Sequence, residues 1–143
     1  ATDISPAALE IAQSNAQNHH VANQIDFQQS DLLSLAIPNP PLHLVCANLP
    51  YIPTKTLEGL DVFEREPTLA LDGGPDGLSL IRRLLPQAAR NLSSEGLVLL
   101  EIENTQGESG LSLARDLFPK AQIDLLPDLA GHDRLIRIET FTE

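Results

Sequence analysis

Cysteine occurs once in these 143 residues, so no disulfide framework can form within one chain. Cationic side chains are scarce too: 9 Lys and Arg stand against 20 Asp and Glu, a formal net charge of -11. Nonspecific nucleic-acid affinity depends on clustered Lys and Arg, so this balance argues against a broad phosphate-binding surface and points to protein or small-molecule partners. No unbroken apolar run approaches the length of a bilayer span, and residues 1–6 carry no basic or apolar signal region, so a soluble protein with no membrane partner is expected. The four histidines, at 19, 20, 43 and 132, lack a His-x-x-x-His spacing, so no metal site is expected. Residues 72–77 are rich in glycine but lack the Lys-Ser/Thr of a phosphate-cradling loop. Internal repeats and low-complexity tracts are absent.

What is present is an alternation of strand-like and helix-like segments. The length suits one domain over residues 1–143. Residues 1–4 read as the end of a strand. Ser5 is a good N-cap with Pro6 in the first helical position, and Ala8, Leu9, Ala12 and Ala16 lie near one stripe, which predicts a helix over 6–17. Residues 25–28 and Leu42–Ala47 read as strands, the second buried, with Cys46 as a small core residue. A long irregular stretch follows over 51–77, and a connection of that length is usually functional. Asp76 can cap a helix carrying Leu78, Ile81, Leu85, Ala88 and Leu92, which Pro86 must kink or deprive of a hydrogen bond. A strand over 97–102, a helix over 111–117 stopped by Pro119, and a closing pair over 123–126 and 135–138 complete the order. The fold class is α/β, a mostly parallel sheet covered by helices with an antiparallel pair at one edge.

Asn48-Leu49-Pro50-Tyr51 directly follows the strand Leu42–Ala47. Pro50 and Pro53 forbid its continuation, so the chain turns outward at the carboxyl edge, where open α/β sheets bind ligands. The Asn48 side-chain oxygen can accept one hydrogen of a planar NH2 group, and the main-chain carbonyl of Leu49 or Pro50 the other. Tyr51 can cover the plane with its ring. Accepting both hydrogens aims the nitrogen lone pair at an electrophilic methyl without prior deprotonation, which is catalysis by orientation. Asn48, Pro50 and Tyr51 are therefore catalytic candidates, and residues 48–51 the substrate-binding set. A proline-rich strand exit is the plainer reading of the same four residues.

Asp3 and Asp31 are placed at the same carboxyl edge by the strands that precede them. A carboxylate there can accept from ribose hydroxyls, and Asp31 from an adenine amino group, while the Leu32 N–H donates to the ring and its side chain packs on the base. The alternatives are a helix cap for Asp3 and a turn-forming role for Asp31.

Residues 66–78, Glu-Pro-Thr-Leu-Ala-Leu-Asp-Gly-Gly-Pro-Asp-Gly-Leu, resemble the E-P-x-x-A-L-x-G-G-x-D-G-L signature of the HemK-type protein-glutamine N5-methyltransferases of peptide-chain release factors. Leu100-Glu101-Ile102 with Gln106, and residues 128–134, extend the resemblance over nearly the whole chain. It implies a Rossmann-like class I S-adenosylmethionine-dependent methyltransferase acting on a glutamine in a Gly-Gly-Gln loop of a release factor. On that resemblance Asp3 matches the ribose ligand, Asp31 and Leu32 the adenine site, Asn48 a residue shared with the cofactor side, and residues 48–51 the glutamine-amide pocket. Three departures stand out: Leu49 where Pro is usual, Glu103 where Gly is common, and the absence from this sequence of the first strand and its glycine-rich loop. The last marks the chain as a fragment, expected to be inactive by itself and able to self-associate through an exposed sheet edge. Asn-Leu-Pro-Tyr is also similar to the motif of ribosomal-RNA adenine dimethyltransferases, which keeps adenine N6 methylation of RNA or DNA as an alternative beside a non-catalytic binding module.

Overall fold

The computed structural model describes residues 1–34 and 41–142. They fall into two compact units, Ala1–Pro38 and Asn39–Glu143.

In the first unit β1 (Thr2–Asp3) pairs in parallel with β2 (Gln28–Gln29), joined through α1 (Pro6–Asn18). Ser5 caps α1 as expected, its Oγ accepting the Ala8 N–H at 3.3 Å, with Pro6 at the helix start. Only Leu9 and Ala16 of its predicted stripe are buried. The chain leaves the helix through His20 at φ 58, a left-handed C-terminal turn closed by the Val21 N–H on the Ala16 carbonyl at 2.9 Å. The second strand lies later than the apolar spacing predicts: Ile25, Asp26 and Phe27 are outside it, and the pairing residues are Gln28 and Gln29.

The second unit is built on a four-stranded sheet in the order β3-β4-β6-β5. β3 (Leu42–Ala47) runs parallel to β4 (Leu92–Glu101), and β6 (Asp133–Glu139) lies antiparallel between β4 and β5 (Gln122–Pro127). Each unit is of the α/β class expected, the first with a parallel strand pair and the second with a mixed sheet whose antiparallel pair lies at one edge. The register places Val45 beside Val98, and Val98 and Leu100 beside Ile138 and Ile136. All five side chains are buried. Helices α3 (Ser79–Asn91) and α4 (Gly107–Leu117) pack on each other and add Ile81, Leu84, Leu85, Ala88, Leu111 and Ala114 to this core. Nine such buried Leu, Ile and Val side chains, each contributing about 1.5–3 kcal/mol of transfer free energy, are what hold the sheet and helices together.

Three expectations are corrected. β3 has the predicted bounds but only Val45 of it is buried; Leu44 is 51% exposed and Cys46 is exposed. The reason is period two: residues 44 and 46 point away from the face that α3 and α4 cover, and β3 has β4 as its one hydrogen-bonded neighbour among the described strands. Second, β4 begins at Leu92, directly at the end of α3, and not at Leu97. Its extra residues bulge between the Leu42–Leu92 and Leu44–Leu97 pairs. Third, the stretch over 51–77 is not wholly irregular. It holds the short helix α2 (Thr54–Leu57) and 3-10 turns at Asp61–Glu64 and Thr68–Ala70, with Leu57 fully buried. α3 runs through Pro86, whose missing N–H removes one hydrogen bond without ending the helix.

Candidate functional site

Parallel pairing brings the carboxyl ends of β3 and β4 side by side, Ala47 opposite Leu100. The chain leaving β3 therefore emerges beside Glu101. Asn48 is exposed, and among the described residues none hydrogen-bonds to its side chain. Leu49, Pro50 and Tyr51 are half-buried.

Tyr51 is held at both ends. Its hydroxyl donates to Glu101 Oε1 at 3.3 Å, and its main-chain carbonyl accepts from Gln106 Nε2 at 2.8 Å. Burial raises the phenol pKa above its usual 10.0, and the neighbouring Glu101 carboxylate pushes it further the same way, so the ring stays neutral.

The segment 66–78 packs on this turn through main chain. The Ile52 N–H donates to Leu71 O at 3.1 Å, the Gly73 N–H to Ile52 O at 2.9 Å, and the Thr54 N–H to Gly74 O at 3.0 Å. Asp72 Oδ1 adds the Thr54 hydroxyl at 2.7 Å and the Gly74 N–H at 2.8 Å, which hold its carboxyl below the usual range. The glycines are dictated by this closeness. A Cβ on Gly73 would lie 2.8 Å from the Pro50 carbonyl oxygen, and one on Gly77, at φ +76, would lie 2.1 Å from Gln106 Nε2 and 2.2 Å from the Tyr51 carbonyl oxygen. Pro50's carbonyl thus faces Gly73.

Asp76 does not occupy the N-cap of α3; Leu78 does. Its Oδ1 accepts the Leu78 N–H at 3.2 Å and Arg82 Nη1 at 2.9 Å, while Arg82 Nη2 closes on Oδ2. The Arg82 guanidinium holds the Asp76 carboxyl down to about 2.

On the far side of β4, Glu103 and Gln106 form a capping box around the turn Asn104–Gln106. Glu103 carries the carboxylate that accepts the Thr105 N–H at 2.9 Å, so the residue that departs from the usual glycine has a structural use here. The hairpin turn between β5 and β6 is knitted by Asp128, whose Oδ1 accepts the Ala130 and His132 N–H groups at 2.9 and 3.0 Å. Those donors hold its carboxyl low. Arg134 ties the hairpin to β4, its Nη1 donating to the Ile102 carbonyl at 3.1 Å.

In the first unit, Asp3 and Asp31 leave at one edge because β1 and β2 are parallel. Asp3 Oδ1 accepts the Ser5 N–H at 2.8 Å. The Asp31 carbonyl accepts the Ser34 N–H at 3.2 Å, forming the turn that contains Leu32. Leu32 has φ 57. Unlike His20 it terminates no helix, so this left-handed leucine stores strain of the kind that accumulates at binding sites. The structure groups Asp3 with Asp31 in one unit and Asn48 with Tyr51 in the other. Glu101 and Gln106 are the site residues whose roles the sequence leaves unread: both lie in the Leu-Glu-Ile…Gln motif, but their partners are distant in the chain.

No group of three or more His, Cys, Asp and Glu residues suited to a metal ion occurs among the described residues. No helix among them is long and apolar enough to cross a membrane.

Residues 1–56 match the family model of the RMKL-like methyltransferase domain. The chain is similar to the release factor glutamine methyltransferase of Moorella thermoacetica, at 48% identity over 135 residues, covering 94% of this chain and 47% of that protein. It is also similar to those of Cereibacter sphaeroides, at 40% identity over 95% of this chain and 49% of that protein, and Thermosynechococcus vestitus, at 35% over 98% and 49%. Among solved structures it resembles the ribosomal protein L11 methylase of Lactobacillus delbrueckii subsp. bulgaricus, TM-score 0.63 at 21% identity, covering 99% of this chain and 56% of that one. TrmN of Thermus thermophilus aligns with TM-score 0.63 at 20% identity, over 98% and 35%. These structures share the class I methyltransferase fold. The chain spans about half the length of the curated relatives it matches.

Proposed function

This chain belongs with the release factor glutamine methyltransferases, spanning about half of their length, and from that premise we propose that it supplies the acceptor pocket and part of the cofactor site of such an enzyme. The reaction is transfer of a methyl group from S-adenosylmethionine to the side-chain amide nitrogen of a glutamine in a peptide-chain release factor. The observation that carries the reading is an exposed Asn48 carboxamide, without a hydrogen-bond partner among the described residues, on a turn whose main chain is locked from behind.

The chemistry follows from what the turn offers. A carboxamide nitrogen is a poor nucleophile because its lone pair is delocalised into the carbonyl. Asn48 Oδ1 accepts one of its hydrogens. Since the Pro50 carbonyl faces Gly73, the Leu49 carbonyl takes the second, and Pro50 serves by fixing the turn. The neutral Tyr51 ring covers the amide plane. With both hydrogens accepted the lone pair would be oriented toward the methyl, the new N–C bond replacing the methyl–sulfur bond whose electron pair stays on sulfur, and one amide proton would then pass to solvent. Leu49 in place of proline still presents its carbonyl.

S-adenosylmethionine, when bound, supplies an electrophilic methyl. The donor set of the first unit fits its polar groups: Asp3 would accept from ribose hydroxyls and Asp31 from the adenine amino group, with Leu32 against the base. The strained Leu32 backbone supports this assignment.

The release factor is the protein partner in this reading, and the cytoplasm, where translation terminates, the place of action. The acidic balance disfavours nucleic acid, and β3, with β4 as its one hydrogen-bonded neighbour among the described strands, offers an edge for self-association. Incubating the full-length protein and labelled S-adenosylmethionine with release factor in one arm and RNA or DNA in another tests the reading. Label on a release-factor glutamine supports it, whereas label on adenine replaces it with the base-methylating alternative. Equilibrium titration of labelled S-adenosylmethionine into this chain alone separates both from a non-catalytic module.

A further inference from the structure

Gln106 is 4% exposed, and its side-chain amide joins three segments at the carboxyl edge of the sheet. Nε2 donates to the Tyr51 carbonyl at 2.8 Å and to the Asp76 carbonyl at 3.3 Å, while Oε1 accepts the Glu103 N–H at 3.0 Å. One amide therefore spans the turn after β3, the loop before α3 and the turn after β4. Both donor hydrogens are committed to main-chain carbonyls, so the bond to Tyr51 fixes backbone and not merely a side chain. Gly77 leaves room for this arrangement, because a methyl group there would displace Gln106 and the Tyr51 carbonyl together.

The Tyr51 carbonyl lies one residue beyond Pro50 and two beyond Leu49. A rotation of the Tyr51 peptide would propagate through the rigid Pro50 to the Leu49 carbonyl and the Asn48 side chain. Tyr51's hydroxyl is separately anchored by Glu101, the last residue of the strand that leads to Gln106. We propose that Gln106 is a positioning residue, setting the main chain of residues 48–51 so that the Asn48 oxygen and Leu49 carbonyl are in place before an acceptor amide arrives. For its kinetic test, this rests on the glutamine-methylation reading; its spectroscopic test is independent of it.

Two variants of the full-length protein separate positioning from simple loop stability. Gln106→Glu keeps the acceptor for the Glu103 N–H but presents oxygen to the Tyr51 and Asp76 carbonyls. Gln106→Met keeps the length and removes every hydrogen bond. Both lower kcat for release-factor methylation by about 100-fold, the scale of a misplacement near 1 Å, while S-adenosylmethionine affinity is unchanged. As pH falls, Gln106→Glu regains rate relative to wild type, since a buried carboxyl that protonates can donate to the Tyr51 carbonyl; Gln106→Met regains none.

Within these 143 residues Tyr51 is the sole tyrosine and tryptophan is absent, so near-ultraviolet absorbance titration of this chain by itself, wild type against Gln106→Met, reads that phenol alone. Gln106→Met alters none of the charges acting on that phenol, since Glu101, Glu103 and Arg134 all remain. Freed from its carbonyl anchor, the phenol titrates closer to 10.0 than in wild type. Unchanged kcat in both variants of an active enzyme, or an unchanged phenol titration in Gln106→Met, overturns the proposal. If the wild type methylates no glutamine, the functional reading falls, and the Tyr51 titration still decides the role of Gln106.

Discussion

The two candidate regions, one in each compact unit, are built in opposite ways. Around residues 48–51, hydrogen bonds converge from β4, from the turn after it and from the loop before α3, with a buried glutamine at the junction. Around Asp3 and Asp31, the frame is a pair of two-residue strands, one helix cap and one turn, and every strand side chain is exposed. Orienting an amide demands a fixed frame, because small displacements cost rate steeply. Accepting hydroxyl and amino donors demands only well-placed carboxylates at the end of a strand. The contrast suggests that damage to the first region should appear in rate and stability, and damage to the second in affinity.

Four experiments can break or sharpen that contrast. Asn48→Ala removes the exposed acceptor and should lower methyl transfer by about 100- to 1000-fold, with no change in the denaturation midpoint. A retained rate would sink the orientation mechanism. Gly77→Ala forces a methyl into the Gln106–Tyr51 contact at a left-handed position and should cost about 1–3 kcal/mol in urea unfolding. Stability equal to wild type would mean the region is looser than its hydrogen bonds imply.

Asp3→Asn and Asp31→Asn should each weaken S-adenosylmethionine binding by about tenfold, measured calorimetrically on the full-length protein, and should leave the Tyr51 phenol titration of this chain by itself unmoved. A shifted phenol would show that the two regions are not separable. The smallest effect concerns Asp76, whose carboxyl is lowered from 3.8 to about 2. A depressed acid contributes stability above its unfolded pKa and loses it as pH falls through the folded one. Asp76→Asn should therefore flatten the decline in stability between pH 4 and pH 2, with little effect at neutral pH. An acid limb identical to wild type would exclude the Arg82 pairing as a source of stability.

What could be read in the sequence follows the range of the forces involved. The bounds of β3 are legible because an apolar run ends at prolines, and the start of α1 because Ser5 and Pro6 act within one turn. Burial of β3 is not legible, since the run 42–47 says nothing about which face a helix will cover; hence Cys46 is exposed. β2 is displaced onto Gln28 and Gln29 because parallel pairing with Thr2 and Asp3, and not apolar alternation, selects its residues. The start of β4 is not legible, because helical spacing assigns Leu92 to the preceding helix and Ser-Ser-Glu-Gly shows no apolar alternation. It is held in the sheet from β6's end, the Thr140 N–H donating to the Gly96 carbonyl at 2.9 Å. The acceptor tetrapeptide and the glycine-rich segment stand out as local patterns. The role of Gln106 does not, because its partners are main-chain carbonyls 55 and 30 residues away.

Gln106 carries the same functional group as the proposed substrate. The turn after β3 thus meets a primary carboxamide on its inner side and is built to receive another on its outer side. Inside, both N–H bonds are spent on carbonyls and solvent is excluded, so that amide is inert framework. Outside, Asn48 offers its oxygen to solvent, and the incoming amide can keep its nitrogen open to a methyl donor. One chemical group serves as scaffold on one side of a peptide turn and as reactant on the other, and what separates the two fates is access.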